Sequence, residues 1–185
     1  RGHRWEAPGQ KLTTYLDVME KVEPTMCAVE TLGPMIIAAH GPLLQRIAAA
    51  RTDGVMTYLM SPEHTSTSRQ RIGSHVELNV VVPVLGETDP TKAREVCRNA
   101  LGYYTTLDYY RREWTEHGFD DGDFADNGSD RLLDHLVAYG KPETLEARIR
   151  AHEIAGASRI ILLPLDVDDG DAAASASLMA MAPVS

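Results

Sequence analysis

The stretch IIAAHGPLLQRIAAARTDGVMTYLMSPEHT (residues 36–65) holds two apolar runs, each stopped where a proline opens a helical segment. MIIAAH (35–40) is short, branched and apolar, and it meets Gly41-Pro42. LLQRIAAAR (43–51) then reads as an Ala-rich helix with Pro42 in its first turn, where a missing N–H costs nothing. Asp53-Gly54 turns the chain into a second run, VMTYLM (55–60). Ser61 reads as a cap and Pro62 as the first position of a short polar helix, PEHTSTSRQRI (62–72), ended by Gly73. Strands alternating with helices in this way predict right-handed βαβ units and a parallel sheet. In such sheets ligands bind beyond the carboxyl ends of the strands. Gly41 lets backbone come close to a ligand there, and the two helices starting at Pro42 and Pro62 aim free N–H groups at the same mouth. An anion, most naturally a phosphate, suits that arrangement. The plainer reading is that Gly-Pro and Ser-Pro are simply good helix starts, and spacing alone leaves both open.

The rest of the chain continues the alternation. Upstream, TTYLDVMEKV (13–22) has apolar residues at Tyr15, Leu16, Met19 and Val22, a helical spacing closed by Pro24. Downstream, VELNVVVPVL (76–85) is nearly continuous in apolar residues, as expected of a strand covered on both faces. Thr88-Asp89-Pro90 starts a helix with Ala93, Val96, Cys97, Ala100 and Leu101 on one face, and the pattern is expected to run on through YYTTLDYYRREWTEHG (103–118). An acidic loop, FDDGDFADNGSD (119–130), precedes two further helices, DRLLDHLVAYG (130–140) and PETLEARIRAHEIAGA (142–157). RIILLPL (159–165) is the last strand, and residues 166–185 read as a weakly ordered tail of a single domain spanning 1–185.

Composition excludes several classes. With 185 residues, 43% hydrophobic and 24% charged, the chain reads as one globular domain. A formal charge of −9 argues against a nucleic-acid surface, which wants a basic face. No apolar run approaches the ~18 residues that a membrane span needs. Cys27 and Cys97 are far apart and fit no metal or redox spacing, so buried thiols in a reduced, cytoplasmic protein are expected. The opening RGHRWEAPGQ has neither an initiator Met nor a signal core and reads as the interior of something longer.

Other residues carry less. Seven His show no H-x-x-x-H or H-E-x-x-H spacing, so no metal site is expected. His64 sits in the first turn of the polar helix, facing a ligand or solvent; His117 and His135 read as surface or interhelical residues. Asp120, Asp121, Asp123 and Asp126 lack the closing Glu of a calcium loop and read as a solvated loop. Tyr103, Tyr104, Tyr109, Tyr110 and Trp114 at helical spacing suggest packing or a dimer face before a substrate wall. GSDR (128–131) reads as a capping motif through Ser129 or Asp130. No G-x-S-x-G hydrolase elbow occurs.

LGPMIIAAHGPLLQRIAAARTDGVMTYLMSPEHTSTSRQRIG (32–73) resembles luciferase-like monooxygenases, in which a strand ends at Ala-x-Gly-Pro, a helix leads to Ala-Asp-Gly and the next strand ends near Pro-Glu-His. ETDPTKAREVCRNALGYYTTLDYY, HGFDDGDF, GSDRLLDHLVAYG and PETLEARIRAHEIAGASRIILLPL are similar to the same superfamily, in its branch that uses the deazaflavin coenzyme F420. The similarity covers residues 11–165. It departs at Arg51-Thr52-Asp53-Gly54, where Ala-Asp-Gly is usual, and at His40, where a small or apolar residue is common.

The resemblance implies an α/β fold: the C-terminal half of a (β/α)8 TIM barrel, about four parallel strands with covering helices and a helical insertion before the last strand. The absent first half would be on the order of 100 residues. By the same resemblance, ring contacts and much of the proton-transfer apparatus come from the first four strands, and the cofactor phosphate rests against the ends of the fifth and sixth. That places Ala39, His40, Gly41 and Pro42 at one strand end and Tyr58, Leu59 and Ser61 at the next as cofactor-binding candidates. No catalytic acid or base is named. The implied activity is a hydride transfer between coenzyme F420 and a small organic substrate, this fragment alone being inactive. The alternatives are an FMN-dependent monooxygenase of the same superfamily and a non-catalytic half-barrel module. A half barrel would bare on the order of 1,000 Å² of apolar surface, against 300–600 Å² for the largest patch of a typical monomer. It is therefore expected to pair with its missing half or to self-associate as a homodimer.

Overall fold

The computed structural model describes residues 7–21 and 33–165. The expectations for the opening residues, for Val22 and Pro24 at the first helix end, for Cys27 and for the 166–185 tail lie outside the described residues. Helix α1 (Pro8–Met19) begins ahead of the expected Thr13, because Pro8 presets φ at the first helical position. It packs on α2 (Pro42–Arg51), and Arg51 pairs with Asp17 at 2.8 Å and Glu20 at 2.7 Å.

The strands are β1 (Ile36–Ala38), β2 (Gly54–Tyr58), β3 (Glu77–Leu85), β4 (Ala138–Tyr139) and β5 (Arg159–Pro164). All pairings are parallel. Ile36 lies opposite Gly54, and Gly54 opposite Glu77; β5 pairs with β3 from Asn79 to Val84, and β4 joins β3 at Val84 and Leu85. The four strands read from the sequence are present, and β4 is additional. It lies where a helix through Gly140 was expected. Helix α7 (Asp130–Leu136) instead stops at Val137, whose extended backbone suits its β-branched side chain, and Gly140 N–H donates to Leu85 O at 3.0 Å.

Alternation along the strands makes one core. Leu78, Val80, Val82 and Val84 of β3 and Ile160 and Leu162 of β5 pack with Val55 against Ala48, Ile72 and Leu145 of the covering helices. These helices include α3 (Pro62–Ile72) and α8 (Pro142–Ile154). Each fully buried aliphatic side chain contributes about 1.5–3 kcal/mol.

A second core sits at the strand ends. Leu59, Met60 and Leu85 meet Cys97, Leu101, Tyr110, Trp114, Leu132 and Leu133 from the insertion between β3 and β4. Cys97 is a buried free thiol. The long helix expected from Pro90 to Gly118 is broken into α4 (Pro90–Leu101), a 3-10 turn (Gly102–Thr106) and α5 (Asp108–Thr115). Thr105 and Thr106 donate their hydroxyls to the carbonyls of Gly102 and Tyr103, which competes with helix continuation. A Cβ on Gly102 would stand 2.5 Å from Asn127 Cβ, so the turn requires glycine where it crosses the next loop.

The acidic loop is also more than a solvated one. Asp120 and Asp123 form a capping box on α6 (Asp121–Phe124), and Asp123 is 7% exposed. Asp123 accepts from Ser129 Oγ at 2.6 Å and pairs with Arg131, whose guanidinium lies 4.4 Å over the Phe119 ring. Ser129 caps α7 through Leu132 N–H, as its sequence setting suggested.

Candidate functional site

Two helices begin side by side at the carboxyl ends of β1 and β2. Gly41 is the N-cap of α2, with extended backbone and no side chain; Ser61 caps α3 by accepting from His64 N–H. His64 ties the two starts together, its Nε2 lying 3.2 Å from His40 O. His40 in turn reaches across to β2, where Tyr58 N–H donates to His40 Nε2 at 3.3 Å. Beneath this lies a buried polar chain. Arg71 donates to Gln45 Oε1 at 2.6 Å, Gln45 Nε2 donates to Ala39 O and Ser68 Oγ, and Ser68 Oγ lies 3.3 Å from His64 Nδ1. Such a network fixes the relative placement of the two helix starts, because every buried partner left unmatched would cost about 1–3 kcal/mol.

The seven candidates divide. His40 and Gly41 are joined to Ser61 through His64, which donates its N–H to Ser61 Oγ and sets its ring against His40 O. Ala39 is 1% exposed and offers only backbone; its N–H is already given to Met56 O. Pro42 is exposed at the first position of α2. Tyr58 faces the insertion, its ring 5.3 Å from that of Tyr104. Leu59 is fully buried and in the left-handed region, φ 55°, a conformation that costs a Leu about 1–3 kcal/mol. Its carbonyl accepts from Trp114 Nε1 at 2.9 Å, which fastens α5 to the end of β2. Of the aromatic set, Tyr110 and Trp114 are core residues, whereas Tyr103 and Tyr109 are exposed.

The residue that sequence reasoning missed is Glu113, on α5. It is 9% exposed, its Oε2 lies 3.6 Å from His64 Nε2, and a Cβ built on Gly41 would stand 2.9 Å from its Oε1. Nothing local in YYRREWTE marks this glutamate, since the approach depends on how the insertion folds back over the strand ends. His64, expected to face either ligand or solvent, is 2% exposed and faces Glu113; its ring is 5.8 Å from that of His117.

Electrostatics agree with the geometry. Burial, and then the charge of His64, lowers His40 to about 4, consistent with an Nε2 that accepts a hydrogen bond. Burial works to raise Glu113, but His64 foremost, with His40 and Arg71 behind it, holds the carboxyl below its ordinary range. The N-termini of α2 and α3 favour negative charge as well. An ionised carboxylate of the chain itself, Glu113, thus lies beside the two helix starts at the strand ends. Among the described residues no group of three or more His, Cys, Asp or Glu is arranged to hold a metal ion. A cavity of about 480 Å³ is lined by Glu143, Glu146, Ala147, Ile149, Arg150 and Glu153; all belong to α8, and no strand end contributes.

No family model and no curated protein matches the chain. Solved structures do. MsnO8 in its apo form superimposes with a TM-score of 0.58 at 14% identity, over 97% of this chain and 61% of that one. The coenzyme F420-dependent tetrahydromethanopterin reductase of Methanopyrus kandleri gives 0.54 at 16% identity, over 78% and 48%. An F420-dependent secondary alcohol dehydrogenase, solved with an F420–acetone adduct, gives 0.54 at 15% identity, over 75% and 45%. At these identities the likeness is one of fold. The chain spans about half the length of these structures. No described helix is long and apolar enough to cross a membrane.

Proposed function

We propose that this chain is the C-terminal portion of a flavin- or deazaflavin-dependent oxidoreductase of the luciferase-like kind, and that the ends of β1 and β2 seat the phosphate of the cofactor tail. The observation that carries the reading is the convergence of two helix N-termini on Gly41, bridged by His64 between the His40 carbonyl and Glu113. Backbone N–H groups at Gly41 and Ser61 would hold the phosphate, and the His40–Tyr58 hydrogen bond would keep the strand ends in register beneath it. The bound cofactor would supply a hydride-transferring ring acting on a small organic substrate. This chain's share is to orient the tail and, through Tyr58 of β2 packed on Tyr104 and Tyr110 of the insertion, to exclude water from one side of the mouth.

F420-dependent structures among the neighbours support coenzyme F420 as the cofactor, with FMN as the alternative. Fluorescence titrations with F420, FMN and riboflavin test both points. FMN differs from riboflavin only by its phosphate, so a seat of this kind requires FMN to bind at least about tenfold more tightly. Equal affinity for FMN and riboflavin overturns the seat, and the F420-to-FMN ratio assigns the cofactor.

A further inference from the structure

We infer that Glu113 is an internal occupant of the anion seat, and that a phosphate reaches Gly41 only by displacing this carboxylate together with the α5 segment that carries it. The inference rests on the proposed phosphate seat and adds its regulation. Three observations support it. First, Glu113 is nine-tenths buried, and its contact with His64 at 3.6 Å is longer than a hydrogen bond. No described residue donates a closer one, so the carboxylate rests beside the imidazole without a short hydrogen bond to fix it. Second, Oε1 stands where even a single carbon on Gly41 would crowd it, at 2.9 Å. A phosphate oxygen bound by the backbone N–H groups at the start of α2 would share that volume and its sign of charge, so the two anions exclude one another.

Third, the carboxylate and a spectroscopic reporter ride on one short element, α5. It has eight residues, follows a 3-10 turn and an extended Leu107, and is held to the end of β2 by the Trp114–Leu59 hydrogen bond. Glu113 and Trp114 are sequence neighbours on this one short helix, so withdrawal of the carboxylate must disturb the indole. Leu59, which accepts that bond, sits in the left-handed backbone region, φ 55°, and its backbone reports any shift of the indole. Occupation of the seat by phosphate is thereby coupled to the position of the insertion over the barrel mouth.

The experiment uses a Trp5→Phe chain, which leaves Trp114 as the sole indole. Inorganic phosphate is titrated at constant ionic strength, with chloride as control, and followed by Trp114 emission and by phosphorus NMR. The inference expects weak binding with a change in Trp114 emission, and at least tenfold tighter binding in Glu113→Gln, whose emission already resembles the phosphate-bound state. Glu113→Asp, which keeps the charge on a shorter arm, falls between the two and serves if the glutamine variant does not fold. Phosphate that binds native and Glu113→Gln chains equally, with Trp114 silent, overturns the displacement and leaves the seat standing. Folded chains that bind phosphate in neither form overturn the seat and the inference with it.

Discussion

At the end of β1, His40 Nε2 accepts the Tyr58 N–H, which a protonated ring could not do. His152 of α8 is 1% exposed and places Nδ1 2.9 Å from Thr65 Oγ1. Burial lowers it to about 4, with Arg148 acting in the same direction. Both imidazoles therefore refuse protons that the unfolded chain accepts near 6.5. Their contribution to stability is complete above about pH 6.5 and is lost as the pH falls toward 4, because the unfolded state then binds more protons. Between pH 7.5 and 5, each ring accounts for a loss on the order of 2 kcal/mol. His152→Gln keeps a polar partner for Thr65 and cannot titrate, so its urea midpoint should vary less with pH by that amount. An unchanged pH dependence would mean that His152 is protonated in both states or in neither.

At the scale of elements, the small α6 turn is organised by one carboxylate. The Arg131 partnership, opposed by burial, holds Asp123 below the usual carboxylate range, and the same side chain closes the capping box and receives Ser129. Asp123→Ala should cost about 2–3 kcal/mol in equilibrium unfolding, since it removes a cap and a charge-assisted pair together. The exposed Asp121→Asn should stay within about 0.5 kcal/mol, and equal effects would show that the cluster acts only through net charge. Asp123 also marks what a sequence can and cannot convey. Caps at Ser61 and Ser129 and helix starts at Pro42 and Pro62 were legible because each is decided within three or four residues, and the two strands before them were read to within two residues of their ends at Ala38 and Tyr58. The break at Gly102, the pairing of β4 with Val84 and Leu85, and the arrival of Glu113 beside Gly41 are decided by contacts across the fold. Alternation could not reveal them. Helical spacing in 103–118 even pointed the other way, since the same aromatic residues suit one long helix or two short ones around a turn.

Across the whole molecule, the sheet face turned away from the helices is open along β5, while Asn79 and Pro83 of β3 on the same face are buried. Ile160 and Leu162 of β5 pack on the helices, so Ile161 and Leu163 point to the opposite face, where they are 36% and 38% exposed. Among the described residues, β1 and β5 each pair with a single neighbour and present open edges to solvent. An apolar face between two open edges is what another twisted sheet would cover. A second copy of this chain carries the same edges and the same apolar residues, so sedimentation velocity should show concentration-dependent dimers or larger species. Ile161→Lys combined with Leu163→Lys places charge on that face while leaving Ile160 and Leu162 in the core. The double variant should shift to monomer at concentrations where the parent associates, with a loss in stability of no more than about 1 kcal/mol per site, as for partly exposed positions. Added as a separate polypeptide, a complementary half would compete with self-association in the parent and fail to bind the variant. A parent chain that sediments as a monomer at every concentration, with the double variant indistinguishable from it, would show that this face does not drive association.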